Sequence, residues 1–127
     1  MPAEHTERGR VTWIDTDASG RIHYSAVFRW AEKAEIELHR TLGLIDSGWR
    51  ETPRKRVEAT YEKPLRFDDE IETTLRVVRV GRTSIEFAWE VRHEGEVAVA
   101  GAHVTVHVGA DGRPEPLPDD YRARLEA

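Results

Sequence analysis

Asp15 and Asp17 stand two residues apart on a predicted loop, directly before the only long helical pattern of the sequence. The amino end of a helix presents free N–H groups and positive potential, which suit a polarised carbonyl or a developing oxyanion. A carboxylate beside such an end can attack as a nucleophile or activate a water molecule. Aspartates before a helix also commonly cap it, so their spacing alone leaves a catalytic role and a capping role open.

Most other common catalytic patterns are absent from the sequence. There is no cysteine, which excludes disulfides, thiolate metal ligands and cysteine nucleophiles. There is also no phosphate loop, Gly-x-Gly-x-x-Gly, His-Glu-x-x-His or Gly-x-Ser-x-Gly. His103 and His107 share one face of a predicted strand at a separation of ~13 Å, too far apart to bind one metal ion. We therefore expect no metal site, and we place these two histidines at the surface or at an interface.

The helix that follows the aspartates is predicted over residues 25–42. Apolar side chains recur there at steps of three and four, and most charged side chains fall off that stripe. Ser25 is a candidate N-cap and Gly43 a candidate C-terminal stop. The apolar positions of the stripe are Val27, Ala31, Ala34, Leu38 and Leu42.

Most of the remaining sequence has the alternation of strands joined by short turns. On the last predicted strand, the alanines and valines at even positions from Ala98 to Val108 are expected to form its apolar face. The Gly81-Arg82 and Glu94-Gly95 pairs are predicted turns. The predicted strands cover residues 8–14, 57–62, 71–80, 85–92 and 98–108.

One strand, a helix and four further strands are typical of an α+β domain. We predict a single domain over residues 1–127, in which a curled five-stranded antiparallel sheet wraps around one long central helix of ~27 Å. Residues 1–7 are expected to be frayed. Residues 109–127 are expected to form a polar tail, with a candidate helical turn at 121–125.

Composition excludes several classes of protein. The 127 residues are 39% hydrophobic and 34% charged, as in a folded domain. The net charge of −5, with 19 basic and 24 acidic residues spread along the chain, disfavours a nucleic acid as the main partner. No apolar run approaches the ~18–20 residues that span a bilayer, and residues 1–10 lack the apolar core of a signal peptide. We therefore expect a soluble, cytoplasmic protein with no membrane partner.

The loop and the start of the helix resemble a known signature. The sequence Asp-Thr-Asp-Ala-Ser-Gly at 15–20, followed by His23-Tyr24 and then Phe-Arg-Trp-Ala-Glu at 28–32, is similar to that of the hotdog-fold thioesterases of the 4-hydroxybenzoyl-CoA thioesterase family. The likeness covers roughly residues 8–122. It continues through Gly43-Leu44, residues 57–64, Phe67-Asp68-Asp69 and Gly81-Arg82-Thr83-Ser84.

The resemblance implies a hotdog fold and an acyl-CoA thioesterase that needs no metal or other cofactor, coenzyme A being part of the substrate. Asp17 matches the catalytic carboxylate of the family, as nucleophile or general base, whereas Asp15 matches a residue that holds the loop. The backbone N–H of Tyr24 would polarise the thioester carbonyl. His23 is either a displaced catalytic helper or a partly buried wall residue. Relatives carry Asn-Tyr where this chain has Ser-Ala-Val at 25–27, which bears on substrate preference.

The resemblance also places the turn of Gly81, Arg82 and Thr83 at the phosphates of coenzyme A, with Arg79 nearby. Arginine recognises phosphate through charge-assisted hydrogen bonds, although an exposed arginine in a turn is also an ordinary surface residue. The resemblance does not identify the acyl group of the substrate. Three aromatic side chains are either pocket-lining or core residues, namely Phe28, Trp30 and Trp49.

The family further implies a homodimer, in which two sheets join edge to edge around shared active sites, and often a tetramer. Unpaired sheet edges invite such pairing. Two other functions stay open: a thioesterase acting on an acyl carrier protein of a fatty-acid or polyketide pathway, and a non-catalytic acyl-CoA-binding module. A basic collar at the pocket mouth would favour the first, and the presence of Asp17 counts against the second. A dehydratase is disfavoured because its pairing of histidine and acid has no clear match.

Overall fold

The computed structural model describes residues 3–46 and 52–126. Its centre is a five-stranded antiparallel sheet with the strand order β1-β3-β4-β5-β2, and the long helix α1 packs on one face. The predicted α+β architecture is confirmed, with a second helix at the carboxyl end. The elements are β1 (Glu4–Arg10), a 3-10 turn (Trp13–Asp15), α1 (Ala26–Thr41), β2 (Arg54–Tyr61), β3 (Glu70–Val80), β4 (Ser84–His93), β5 (Glu96–Val106) and α2 (Asp119–Glu126).

Helix α1 lies within one residue of its predicted bounds at each end. Its apolar stripe forms the core against the sheet, where Trp89 of β4 is buried with the ring of Phe28 edge-on at 6.1 Å. Gly43 ends the helix with a φ of 71°, a left-handed conformation that glycine adopts without strain. Ser25 occupies the N-cap position as predicted, but its side chain makes no capping bond and its Oγ lies 2.8 Å from Nδ1 of His23.

The first strand begins earlier than predicted. β1 pairs with β3 along its whole length, so the prediction of a strand at 8–14 is four residues late and that of frayed residues 1–7 is wrong from Glu4 onward. Polar pairs across the two strands replace the apolar alternation that sequence patterns detect: Glu4 lies opposite Arg76, and Oγ1 of Thr6 is 2.8 Å from Oγ1 of Thr74. The segment at 13–15 forms a 3-10 turn instead of strand.

Strand β5 is paired on both sides, with β4 and with β2. The face that it turns to the core is the opposite of the predicted one, because His103 and Thr105 are only 2% and 1% exposed. From Ala100 onward the even-numbered alanines and valines of β5 lie on the outer face, half-buried, whereas Ala98 is buried in the core. The prediction that His103 is a surface or interface residue is therefore wrong within this chain.

Gly101 stands where β4, β5 and β2 come closest. A Cβ atom at this position would lie 2.3 Å from Cζ2 of Trp89 and 2.6 Å from the backbone oxygen of Glu58. Real Cβ atoms do not approach other atoms so closely. Because Gly101 has no side chain, the indole of Trp89 can lie against β5 at this position, and β2 can stay within hydrogen-bonding distance of β5.

The carboxyl-terminal segment is folded, in contrast to the predicted polar tail. Leu117, Tyr121 and Leu125 are buried in the core. Arg122 donates to the carbonyl of Gly81 at 2.5 Å, which fastens α2 to the turn between β3 and β4. No helix within residues 3–46 and 52–126 is long and apolar enough to cross a membrane.

Candidate active site

The loop after the 3-10 turn is a small hairpin. Thr16 pairs with Ile22, and the N–H of Asp17 donates to the carbonyl of Arg21 at 2.9 Å. Gly20 closes the hairpin with a φ of 82°. Arg21 in turn pairs with Arg66, which joins the hairpin to the chain before β3. These backbone bonds place Asp17 at an exposed tip.

Asp15 holds the base of this loop. Its side chain is 6% exposed and accepts hydrogen bonds at 2.8 Å from the N–H and the hydroxyl of Thr12 and from the guanidinium of Arg29. Burial by itself would raise the pKa of Asp15, but these donors outweigh it and lower the pKa. A buried carboxylate whose two oxygens both accept hydrogen bonds is suited to a structural role in the loop.

The carboxylate of Asp17, in contrast, faces solvent. It accepts hydrogen bonds from the hydroxyl of Ser19 at 2.6 Å and from the N–H of Ser19 at 2.8 Å, and these lower the pKa of Asp17 below its ordinary value, with smaller contributions from His23 and Arg21. Asp17 is therefore ionised at neutral pH. An ionised carboxylate is the form that a nucleophile or general base requires.

The backbone N–H of Tyr24, just before α1, is an unused donor. The N–H of His23 donates to the carbonyl of Asp15, and that of Ser25 to Nδ1 of His23, but the N–H of Tyr24 makes no hydrogen bond within the described part of the chain. The carbonyl of Tyr24 accepts a 2.5 Å hydrogen bond from the hydroxyl of Tyr61 on β2. Tyr61 thus ties this peptide to the edge strand, a contact that no sequence pattern indicates.

His23 is half-buried against its neighbours. Its ring lies over that of Tyr24 with the centroids 4.3 Å apart, and its Nδ1 is bonded to Oγ of Ser25. This geometry agrees with a wall residue. Phe28 and Trp30 both pack against the core, and Trp49 lies outside the described residues.

The turn of Gly81, Arg82 and Thr83 is held rigidly from behind. The carbonyls of Arg82 and Thr83 accept from the N–H groups of Leu117 and His107 at 2.9 and 2.8 Å. The Arg82 side chain is exposed and makes no ion pair with a described carboxylate. Within the described residues no hydrogen bond joins this turn to the Asp17 loop, so the two predicted parts of the site are not linked to each other in this way.

A buried charged cluster was missed by the sequence analysis. Oε1 of Glu35 on α1 accepts from Nε2 of His103 at 2.7 Å and from the guanidinium of Arg54 on β2 at 2.8 Å. Burial alone would raise the pKa of Glu35, but the hydrogen bond from His103 and the charge of Arg54 outweigh it and lower the pKa. One feature of the sequence could have indicated this cluster, namely a glutamate on the apolar stripe of the helix, between Ala31 and Leu38.

In residues 3–46 and 52–126, no group of three or more His, Cys, Asp or Glu side chains is arranged to hold a metal ion.

Known proteins share both the sequence pattern and the fold. Residues 11–125 match the Thioesterase-like superfamily. The chain is 28% identical over 133 residues to a 1,4-dihydroxy-2-naphthoyl-CoA hydrolase of Prochlorococcus marinus, covering 92% of this chain and 86% of the relative. Two solved structures, of a predicted thioesterase from Bacillus stearothermophilus and of a thioesterase from Thermus thermophilus complexed with coenzyme A and Zn, superpose with TM-scores of 0.87 and 0.86. Their identities are 28% and 29%, over 97% and 95% of this chain and 94% and 91% of theirs.

A five-stranded antiparallel sheet around a central helix, shared with these thioesterases, defines a hotdog-fold enzyme of the thioesterase type. The chain belongs to the Thioesterase-like superfamily. The predicted fold class and the predicted enzyme class are both confirmed. The catalytic roles of Asp17, Tyr24 and His23 and the substrate role of the turn at 81–83 stay predictions.

Proposed function

We propose that this protein hydrolyses an acyl-CoA thioester to a free acid and coenzyme A, with Asp17 as the nucleophile or general base. The observation that carries the proposal is the hairpin that joins an ionised, exposed carboxylate at Asp17 to an unused N–H at Tyr24, at the start of α1. Membership of the superfamily supports it, as do relatives named as CoA hydrolases and a related structure that holds coenzyme A.

The two groups have complementary tasks in such a reaction. As a base, Asp17 takes a proton from water while the water oxygen bonds to the thioester carbon. The carbonyl electrons move to oxygen, and the N–H of Tyr24 donates to that oxyanion. The carbon–sulfur bond then breaks and the sulfur takes the proton, which gives the acid and the thiol. As a nucleophile, Asp17 bonds to the carbon itself and expels the thiolate, and water hydrolyses the resulting anhydride.

The proposal includes three further points. The protein is related in particular to the 4-hydroxybenzoyl-CoA thioesterases, it acts in the cytoplasm, and it needs no metal or other cofactor. A carrier-protein substrate is disfavoured because acidic Asp68 and Asp69 follow Arg66 at the loop, so the charges there are mixed and form no basic collar. A non-catalytic binding module is disfavoured because an ionised Asp17 would serve no purpose in it. Hydrolysis assays on short, long and aromatic acyl-CoA esters, and on the matching carrier-protein esters, separate these functions.

Self-association is expected through the edge strand β2. The inward-facing side chains of Val57 and Tyr61 are 47% and 44% exposed, so one face of this edge is apolar and uncovered. We expect light scattering at micromolar concentration to give at least twice the 14.6 kDa of one chain. Val57→Lys should lower that mass, whereas Val78→Lys, at a valine on β3 that is 50% exposed, should not. A mass of one chain for the parent would contradict the dimer.

Arg82 is expected to bind a phosphate of coenzyme A. Replacing it with alanine should raise the KM of an acyl-CoA ester roughly ten- to a hundredfold, the scale of one hydrogen bond between charged groups. The KM ratio of the CoA ester to the matching pantetheine ester, which lacks the nucleotide phosphates, should rise by the same factor. Arg76→Ala, at an exposed arginine on β3, is the control and should leave the ratio unchanged. An equal loss on both esters would show that Arg82 acts through the fold.

A further inference from the structure

Two arginines face each other directly beside the Asp17 hairpin. Arg21 and Arg66 form an isolated antiparallel bridge, which the 3.0 Å bond from the N–H of Ile22 to the carbonyl of Leu65 holds in register. Residues directly opposite in an antiparallel pair project to the same side, with their Cβ atoms about 4.5–5.5 Å apart. The two guanidinium groups can therefore converge on one ligand.

No salt bridge within the described residues neutralises this pair of positive charges, although the charge of Arg21 acts on the carboxylate of Asp17. Both side chains are exposed, and neither makes an ion pair with a carboxylate in residues 3–46 and 52–126. The nearby Asp69 accepts from the backbone N–H of Arg66 at 2.8 Å, which leaves the guanidinium available. Like charges directly opposite each other in a sheet are destabilising. Local features that oppose stability are expected mainly at functional sites.

The arginine pair lies on the strand next to Asp17. The bond from the N–H of Asp17 to the carbonyl of Arg21 sets these residues side by side, so Asp17, Arg21 and Arg66 form a row across three chain segments. Neighbouring strands lie about 4.7–4.9 Å apart. An anion bound between the arginines would therefore lie within a few carbon–carbon bonds of a carbonyl group placed at Asp17.

We propose that Arg21 and Arg66 together bind a carboxylate on the acyl group of the substrate, so that the enzyme acts on thioesters of short dicarboxylic acids. The inference rests on the proposed function, because an anion next to the reacting carbonyl belongs to the acyl group only if Asp17 attacks there. The phosphates of coenzyme A are separated from that carbonyl by the whole pantetheine arm. Guanidinium groups match a carboxylate with paired hydrogen bonds, which makes two arginines a selective site for it.

The test compares two stable thioethers that cannot be hydrolysed. S-(3-carboxypropyl)-CoA has the length of a succinyl thioester and ends in a carboxylate, whereas S-butyl-CoA ends in a methyl group. We expect calorimetric titration of the parent to show at least roughly tenfold tighter binding of the carboxylate ligand, the scale of one hydrogen bond between charged groups. Arg21→Gln and Arg66→Gln should each reduce that ratio towards one. Arg21→Lys and Arg66→Lys should keep part of it, and Arg76→Gln, the matched surface control, should keep all of it.

Each other result has a defined meaning. A parent ratio near one, or a ratio that survives both Gln variants, would overturn the proposal. Equal weakening of both ligands would overturn it in favour of phosphate binding, provided that the matching pantetheine thioethers show no weakening. A fall in the light-scattering mass of the Gln variants would overturn it in favour of an interface between copies. If the carboxylate preference depends on the arginines but the parent hydrolyses no thioester, the anion site stands and the proposed function fails.

Discussion

Asp17→Asn should lower kcat for thioester hydrolysis by at least ~10²–10⁴-fold, the usual scale of a positioned base. The asparagine keeps the shape of the side chain and one oxygen that can accept from Ser19, but it removes the negative charge that the short bonds to Ser19 stabilise. Because Asp17 is fully exposed, the fold should tolerate the change. Steady-state kinetics together with circular dichroism measure both effects.

Asp15→Asn is the matched control for that experiment, two positions away on the same loop. Its carboxylate is buried and accepts from Thr12 and Arg29, so loss of the charge should cost about 1–3 kcal/mol of unfolding free energy. Its kcat, measured well below the midpoint of thermal unfolding, should fall much less than that of Asp17→Asn. A folded Asp17→Asn enzyme that turns over like the parent would remove Asp17 from the chemistry while leaving the fold in place.

Glu35→Gln should lower the free energy of unfolding by about 3 kcal/mol, the lower end of the cost of breaking a buried ion pair. The lower end applies because the side chain of Arg54 is 28% exposed and can reach water. Glu37→Gln on the same helix is the control. Its partner Arg40 is a surface residue, so the change should cost under about 0.5 kcal/mol in urea unfolding.

The Glu35 cluster also predicts a dependence of stability on pH. The pKa of Glu35 is lower in the fold than its ordinary value of 4.5, so the carboxylate stabilises the fold above that pH. The contribution is lost as the pH falls below 4.5 through the lowered folded pKa. Urea midpoints of the parent and of Glu35→Gln should therefore converge in acid. A gap that stays constant from pH 7 to pH 3 would mean that Glu35 acts through its shape and not through its charge.

Elements with strong local signals were predictable from the sequence. The period of α1 and the stop at Gly43 depend on residues close together in the chain, and so does the turn at Glu94-Gly95, where both residues have positive φ. The prediction of β1 began four residues late because the strand is held by pairing with β3, whose residues lie 60 to 72 positions further along the chain, from Arg10 with Glu70 to Glu4 with Arg76. Local alternation carries no information about such pairing.

The candidate site was predictable in part for the same reason. The loop from Asp15 to Tyr24 is continuous in sequence, so its carboxylates and its position before α1 were found. The hydrogen bond between Glu35 and His103 joins residues 68 positions apart, and the inward face of β5 depends on a register shift opposite β4. Both are tertiary properties. A glutamate on an apolar stripe was the one local hint that a buried partner had to exist.

Two glycines of this fold differ in their evolutionary freedom. At Gly109 the three atoms nearest to a new Cβ all belong to the Glu115 side chain, so a smaller residue at 115 could make room for it. At Gly101 one obstacle is the indole of Trp89, but another is the backbone oxygen of Glu58, which no exchange of side chains removes. Drift can therefore reach position 109 through a compensating partner. No exchange of a neighbouring side chain can make room at position 101. Glycine is therefore required there for β2 to keep its place in the sheet.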